Sequence, residues 1–488
     1  MDVEWEGSVT MNAGSGEFAP YYIASNRGGT LTQQYSTLLS GTLTHATDTV
    51  SKSSFGFGAE LWGGYASSAG YDRYDAELGL WGRRNVAPAR FWVQQLYAEA
   101  KYRSILLTVG QKRHVPQVVN DRLGSGDMAW SGNARPEPGV NVGFVNFQTV
   151  PFTHGWVQVA GQLGYYFSTG GKWLKSHFGY YNASLTTSQL FHYKNIYLRT
   201  HPDRRLVFTI GMQDGCQFGG NIAEYEHGNR ISYNKMKCGV GDFFKVLLPS
   251  GGGNNDGDKY YEGNHVGSWD VSLDYKFAPG MVLRGYYQSP WEDGSGIGKL
   301  NGFDGVWGIE MRREGKTALA GVVVEYVDLT NQSGPLHWAP ADSPDTGVTG
   351  EATGADDYYN NYAYNGYQVL GMSVGSPFVK SPLYNTDGYM RYTDNVMRGF
   401  HMGAEGYAAP WLAWRVLGSW RKSWGTKFFP RVKPVAGTSL FAELGYVPPR
   451  VQGLSLKVQV ALDRGSLYGN NFGSILCVSY KGNFTLTH

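Results

Sequence analysis

The chain has 488 residues, rich in Gly (68), Tyr (34), Phe (23) and Trp (15), with only 17% charged. Its mean hydropathy of −0.34 is modest for so few charges, so apolar residues must be interleaved with polar ones, as in a wall with one oily and one wet face. A net charge of +2 without any Lys/Arg run excludes a nucleic-acid partner, and no apolar run reaches the ~18 residues a helical membrane span needs.

The opening MDVEWEGSVTMNAGSGEF has neither the basic n-region nor the apolar h-region of an export signal. It reads at once as a strand, EWEGSVTMNA, so an exported chain would have lost its signal before this point. Further on, Phe55, Phe57, Ala59, Leu61 and Tyr65 alternate with glycines and Glu60. The clearest period-2 segment is SWDVSLDYKF at 268–277, with Trp269, Val271, Leu273, Tyr275 and Phe277 on one face and Asp270, Asp274 and Lys276 on the other. Phe303, Trp307, Ile309 and Met311 alternate with Asp304, Glu310 and Arg312. The apolar patch Ala318–Val327 is broken by Gly321 and Glu325. Near the end Leu454, Leu456, Val458, Val460 and Leu462 alternate with Ser455, Lys457, Gln459 and Asp463. Strands of about ten residues are long for a globular sheet and match a tilted bilayer crossing. The last strand ends FTLTH, where Phe484 and Leu486 give a partial terminal aromatic signal.

One such strand fits a soluble sandwich as well as a barrel, and the connections separate the two. Short links at Arg103–Ser104, His201–Arg204, Ala278–Gly280, Arg313–Lys316, Ala409–Pro410 and Pro448–Gln452 alternate with long ones at 13–35, 67–90, 114–138, 168–191, 214–266, 329–397 and 422–436. Tight periplasmic turns alternating with long extracellular loops define a transmembrane barrel. The expected fold is all-β: an antiparallel transmembrane β-barrel of about eighteen strands, with both termini periplasmic and a lumen plugged by loops. Cys216 and Cys238 fall in one predicted loop and form a candidate disulfide in an oxidising envelope, whereas Cys477 sits in a strand pattern.

Several segments carry a family resemblance. They are FWVQQLYAEAKYRSILLTVGQKRH from residue 91, LGSGDMAWSGNARPEP at 123–138, PFTHGW at 151–156 and FHYKNIYLR at 191–199. DDYYNNYAYNGYQVLGMSVGSPFVKSPLYN at 356–385, MRGFHMGAEG at 397–406, RKSWGT at 421–426 and LDRGSLYGNNFGS at 462–474 complete them. In this order, over nearly the whole chain, they resemble the Wzi-like family of capsule-assembly outer-membrane barrels. The resemblance implies an 18-stranded lectin that anchors capsular polysaccharide at the cell surface. Better-studied members begin with a periplasmic helical bundle. This chain enters a strand instead, so residues 1–488 are expected to be a single barrel domain.

Two loops are candidate carbohydrate contacts. In GDMAWSGNARPEP, Trp130 offers a flat face for a sugar ring, and Asp127, Asn133 and Arg135 offer hydrogen bonds to paired hydroxyls. The competing reading, which we favour, is a lumen plug whose dense donors and acceptors satisfy one another. In DDYYNNYAYNGY at 356–367, Tyr358, Tyr359, Tyr362 and Tyr364 combine apolar contact with a polar tip, and the asparagines adapt their hydrogen bonds. Packing between loops, or an aromatic belt, is the alternative. Trp291, Trp338 and Trp424 border long connections and fit a girdle equally well. Asn254, Asp256 and Asp258 are spaced like calcium ligands but lack the glycine and distant glutamate of an EF-hand, so a solvated loop tip is preferred and no metal is assigned.

HExxH is absent, the GMSVG match to GxSxG at 371–375 lies in a predicted long loop rather than in the strand-to-helix turn of a nucleophile elbow, and no cofactor motif is present. His401 and Glu405 share one strand face as a lumen pair, more in keeping with a structural network than with acid/base chemistry. Of three functions, a binding protein for surface polysaccharide, seated in outer-membrane lipid and open to envelope protein partners, is preferred. A porin for small solutes is the alternative, and an enzyme is disfavoured.

Overall fold

The computed structural model describes residues 1–248, 263–292, 294–334, 337–338, 352–353 and 355–486. Its wall is made of β1 (Asp2–Ser15), β2 (Ser36–His45), β3 (Ser53–Ala66), β4 (Phe91–Tyr102), β5 (Ile105–Gln111), β6 (Gly139–Phe144, resuming at Gln148–Thr149), β7 (Val157–Phe167), β8 (Leu190–Thr200) and β9 (Leu206–Phe218). It continues through β10 (Asn264–Ala278), β11 (Met281–Trp291), β12 (Gly305–Arg313), β13 (Gly321–Asp328), β14 (Met397–Ala409), β15 (Leu412–Gly425), β16 (Pro430–Tyr446), β17 (Leu454–Gly465) and β18 (Asn471–Thr485). Every neighbouring pair is antiparallel. β1 pairs with both β2 and β18, which closes 18 strands into a barrel without an edge.

The two faces of this wall invert the pattern of a water-soluble protein. On β10, Ser268, Asp270 and Ser272 point inward and are buried, while Leu273 and Phe277 point outward and are exposed. On β17, Gln459, Ala461 and Asp463 are buried inside, and Val458 and Val460 are exposed outside. The same holds around the barrel for Ile196, Ile309, Phe400, Met402, Leu440 and Leu444, all exposed. A continuous apolar outer surface over a polar interior is what a bilayer requires, because lipid solvates the outside and side chains or water satisfy the inside. Alternating strands therefore have the faces expected from their period.

Connections at one end are short, two residues each at 103–104, 279–280 and 410–411. The Pro279–Gly280 turn needs a left-handed residue, supplied by Gly280 at φ 68. Both termini lie at this end, where the Met1 amine donates to the Leu486 carbonyl at 2.9 Å. The opposite end carries 112–138, 168–189, 219–263 and 329–396, with one departure from expectation. The link predicted at 422–436 shrinks to 426–429, because β15 and β16 pair from Ser423 to Val435 and again at Gly425 and Pro430. The long connections carry their own structure, including a hairpin of 69–75 with 80–86 and a three-stranded sheet of 183–187, 221–226 and 229–235.

The candidate disulfide does not form. Cys216 is buried on β9 beside Phe218 and Val246, whereas Cys238 is exposed beyond the 229–235 strand. The calcium-spaced Asn254, Asp256 and Asp258, and the Trp338 side chain, lie outside the described residues.

Candidate functional site

Three segments fold back from the long-connection end into the barrel: 16–35 with the short helix α1 (Tyr21–Ala24), 112–138, and 355–396. Inward-facing glycines make room for them. A Cβ on Gly403 would lie 2.3 Å from the Leu123 carbonyl, one on Gly473 2.7 Å from Ile23, and one on Gly215 2.0 Å from the Tyr367 hydroxyl.

Wall side chains then satisfy the backbone of these segments. Gln288 Oε1 accepts from Met128 N at 2.6 Å, and Glu325 Oε2 accepts from Ser125 N at 2.6 Å. Asp463 Oδ2 accepts from Tyr21 N at 3.0 Å. Asp127 closes its own turn by accepting from Ala129 N and Trp130 N, both at 2.9 Å. Gln288 Nε2 donates to Asp127 at 2.8 Å and to Asp270 at 3.0 Å, so one amide bridges two buried carboxylates. Burial raises the Asp127 pKa, against the opposing pull of these donors. His401 and Glu405 serve the same end. Leu123's carbonyl can only accept, so His401 Nε2 carries the proton donated to it at 2.7 Å, and the Tyr22 hydroxyl donates to Nδ1 at 2.9 Å. Glu405 pairs with Arg122. Arg421, fully buried on β15, is caged by Tyr21 (3.8 Å), Tyr468 (4.7 Å) and Phe378 (5.4 Å).

This packing decides the fate of the residues predicted to touch carbohydrate. Trp130 is buried, with its face stacked on His114 at 4.4 Å and its edges against Tyr193, Phe191 and Tyr166, so no sugar can lie on it. Asn133 accepts from Asn26 N at 3.1 Å and donates to the Ser373 carbonyl at 3.0 Å, knitting the three segments together. Arg135 lies 5.0 Å over the Trp92 ring, and burial lowers its pKa to about 10. Tyr358 donates to Asp304 at 3.2 Å and Tyr359 to the Met128 carbonyl at 2.7 Å, and both are 1% exposed. Tyr364 is buried with Ile222 and Ala363. Trp291 is fully buried rather than part of a girdle, while Arg398 and Lys422 stand over Trp424. Tyr362 alone of the four tyrosines faces out, at 60% exposure.

Tyr362 opens onto a cavity of about 830 Å³ among the long connections, with Tyr389, Arg391, Phe428 and Phe429 around its mouth. Its floor is rigidly tied. Asn360 and Tyr392 exchange two hydrogen bonds at 2.9 and 2.8 Å, and Asn365 accepts from Thr186 N and donates to the Ser184 carbonyl, each at 2.6 Å. Arg431 holds Asp394 through two nitrogens at 2.6 and 2.8 Å. Burial raises the Asp357 pKa. The asparagines read as adaptable ligand contacts are thus spent largely on fixing the loop. The missed residues are Tyr389, Arg391 and the Phe428–Phe429 pair. Two consecutive phenylalanines before Pro430, in a turn, were the available signal. Among the described residues no cluster of His, Cys, Asp or Glu is placed to hold a metal.

An oily exterior, a polar interior and loops gathered at one end define a transmembrane β-barrel of outer-membrane type. No protein-family model matches the chain, and no curated protein is similar to it in sequence. Among solved structures it is similar to Wzi of Escherichia coli, an outer membrane protein involved in group 1 capsule assembly and a carbohydrate-binding β-barrel. The identity is 13% and the TM-score 0.55, over 99% of this chain and 85% of that one. Also similar are Acinetobacter baumannii OccAB2 (8% identity, TM-score 0.49, 99% and 98% covered) and Pseudomonas aeruginosa OprD (9%, 0.46, 99% and 95%). At 13% identity the likeness to Wzi shows the fold alone.

Proposed function

We propose that this protein binds surface polysaccharide in the cavity beside Tyr362, with the long-connection end facing out of the cell and the three inward segments closing the lumen. The observation that carries the reading is the exposed Tyr362 ring over a cavity of about 830 Å³ whose floor is fixed by reciprocal hydrogen bonds. Exposed aromatic rings beside Arg391 suit a sugar chain, offering apolar faces to its ring C–H groups and a donor fork to hydroxyls or carboxylates. A fixed floor keeps the ordering cost of binding low. The carbohydrate-binding character of Wzi, whose fold the chain shares, supports this choice over other ligands.

The test uses acidic and neutral polysaccharide extracted from the producing bacterium, with the purified barrel immobilised. Tyr362→Ala combined with Phe429→Ala is expected to weaken binding by about tenfold or more, since each stacked ring contributes about 1 kcal/mol. Tyr358→Phe, deep under the floor, should leave affinity unchanged. Undiminished binding by the double variant would reject the site. A channel for small solutes is the second reading, favoured by further cavities of about 360, 420 and 660 Å³ along the inner wall.

A further inference from the structure

The short-turn half of the lumen contains a chamber of a different chemistry. A cavity of about 420 Å³ there is bounded by Arg27, Arg113, Arg122, Arg415 and Lys457, against only Asp121 and Glu443. Five cations face two lining carboxylates, and with Glu405, which pairs with Arg122 from beside the chamber, the excess is two positive charges. The carboxylates are already committed. Asp121 pairs with Arg113 at 2.6 Å. Glu443 is shared by Arg415 at 3.1 Å and Arg122 at 3.3 Å, and accepts from Gln459 Nε2 at 2.5 Å. Arg122 leans on Glu405 as well.

Arg27 and Lys457 have no carboxylate within ion-pair distance among the described residues. Arg27 donates instead to the neutral Gln459 amide oxygen at 2.7 Å. It shares the Phe441 ring with Arg415, the two guanidinium carbons standing 5.9 and 5.1 Å from the ring centre. Arg415 Nε is buried without a hydrogen-bond partner. Burial first, then the Arg415 charge, pulls the Arg27 pKa down to about 10. Like charges gathered in a partly desolvated space repel one another, and an anion placed between them relieves the repulsion. Water reaches the chamber, because the Arg113 and Arg122 side chains are 44% and 51% exposed.

We propose that this chamber binds a multivalent oxyanion of phosphate type, held between Arg27, Arg415 and Lys457. The planar guanidinium forks match paired phosphate oxygens, and Lys457 adds a point charge. The site is separate from the polysaccharide cavity, and neither reading depends on the other.

The full chain in detergent micelles, titrated calorimetrically with inorganic pyrophosphate, tests it. Wild type is expected to bind, with affinity falling as NaCl is raised. The double variant Arg27→Gln, Lys457→Gln should bind at least tenfold more weakly, and Arg27→Lys, which keeps the charge but loses the fork, should fall between it and wild type. Glu443→Gln should bind more tightly, a gain that misfolding cannot mimic. Tyr362→Ala, at the other end, should change nothing. Absence of pyrophosphate binding by wild type, equal affinity in the double variant, or weaker binding by Glu443→Gln would each overturn the proposal.

Discussion

Tyr358, Tyr359, Tyr362 and Tyr364 are near neighbours in one motif, yet three are buried and one is exposed. The backbone accounts for the split. Tyr359 (φ 69) and Asn365 (φ 57) adopt left-handed conformations that turn the chain on itself, and the Tyr358 and Tyr359 hydroxyls find partners below at Asp304 and Met128. Such buried groups also carry a pH signature. Glu137, 7% exposed, accepts from Thr169 N at 3.2 Å, and burial pushes its pKa from 4.5 up to about 7. Between those values the unfolded chain has released the proton that the folded protein keeps. Stability should therefore fall as pH rises from about 4.5 to about 7 and then level off, by roughly 3 kcal/mol at most. Glu137→Gln is expected to flatten this slope in urea midpoints measured between pH 4 and pH 8. A slope equal to wild type would contradict the assignment.

At the scale of the element, period 2 determines which residues meet lipid. Val458 is 51% exposed on the outer face of β17, so Val458→Arg should cost about 2–4 kcal/mol near the bilayer midplane. Ser455→Arg, on the inner face, should be mild by comparison. Folding into lipid vesicles, followed by the mobility shift of unheated samples on gels, reads both, and equal defects would refute the register. Gln459 shares that inner face but is not a neutral position, since it joins Arg27 to Glu443. Glycines on inward faces have a comparable task. At Gly403, Gly473 and Gly215 the missing side chain is the space that an inward segment occupies.

For the molecule as a whole, eighteen strands enclose a width that would hold a water-filled channel if left empty. Three segments enter it, and their backbone is bonded to wall side chains from β9, β11, β13 and β17. Conductance in planar bilayers should accordingly be small and unsteady for wild type. Gly403→Leu would place atoms where the Leu123 carbonyl lies, forcing segment 112–138 from the wall, and is expected to raise conductance several-fold. Large, steady wild-type conductance, unaltered by this change, would favour the channel reading.

The wall was legible in the sequence because a strand's two faces differ in solvent, and that difference is written locally, residue by residue. Strand number, the alternation of short and long links, and the outward set Leu273, Val458 and Val460 all follow from it. The end of β15 was not legible, because Lys422, Ser423 and Gly425 pair with β16 through their backbone while their side chains show no apolar–polar alternation that would mark a strand. Nor was the cavity, since whether Trp130 or Tyr362 meets solvent depends on what stacks against it from segments distant in the chain. The basic chamber likewise gathers Arg27, Arg122, Arg415 and Lys457 from four separate stretches. Local periodicity specifies a barrel, whereas burial inside it is decided by contacts between loops and wall, which only the closed tertiary structure brings together.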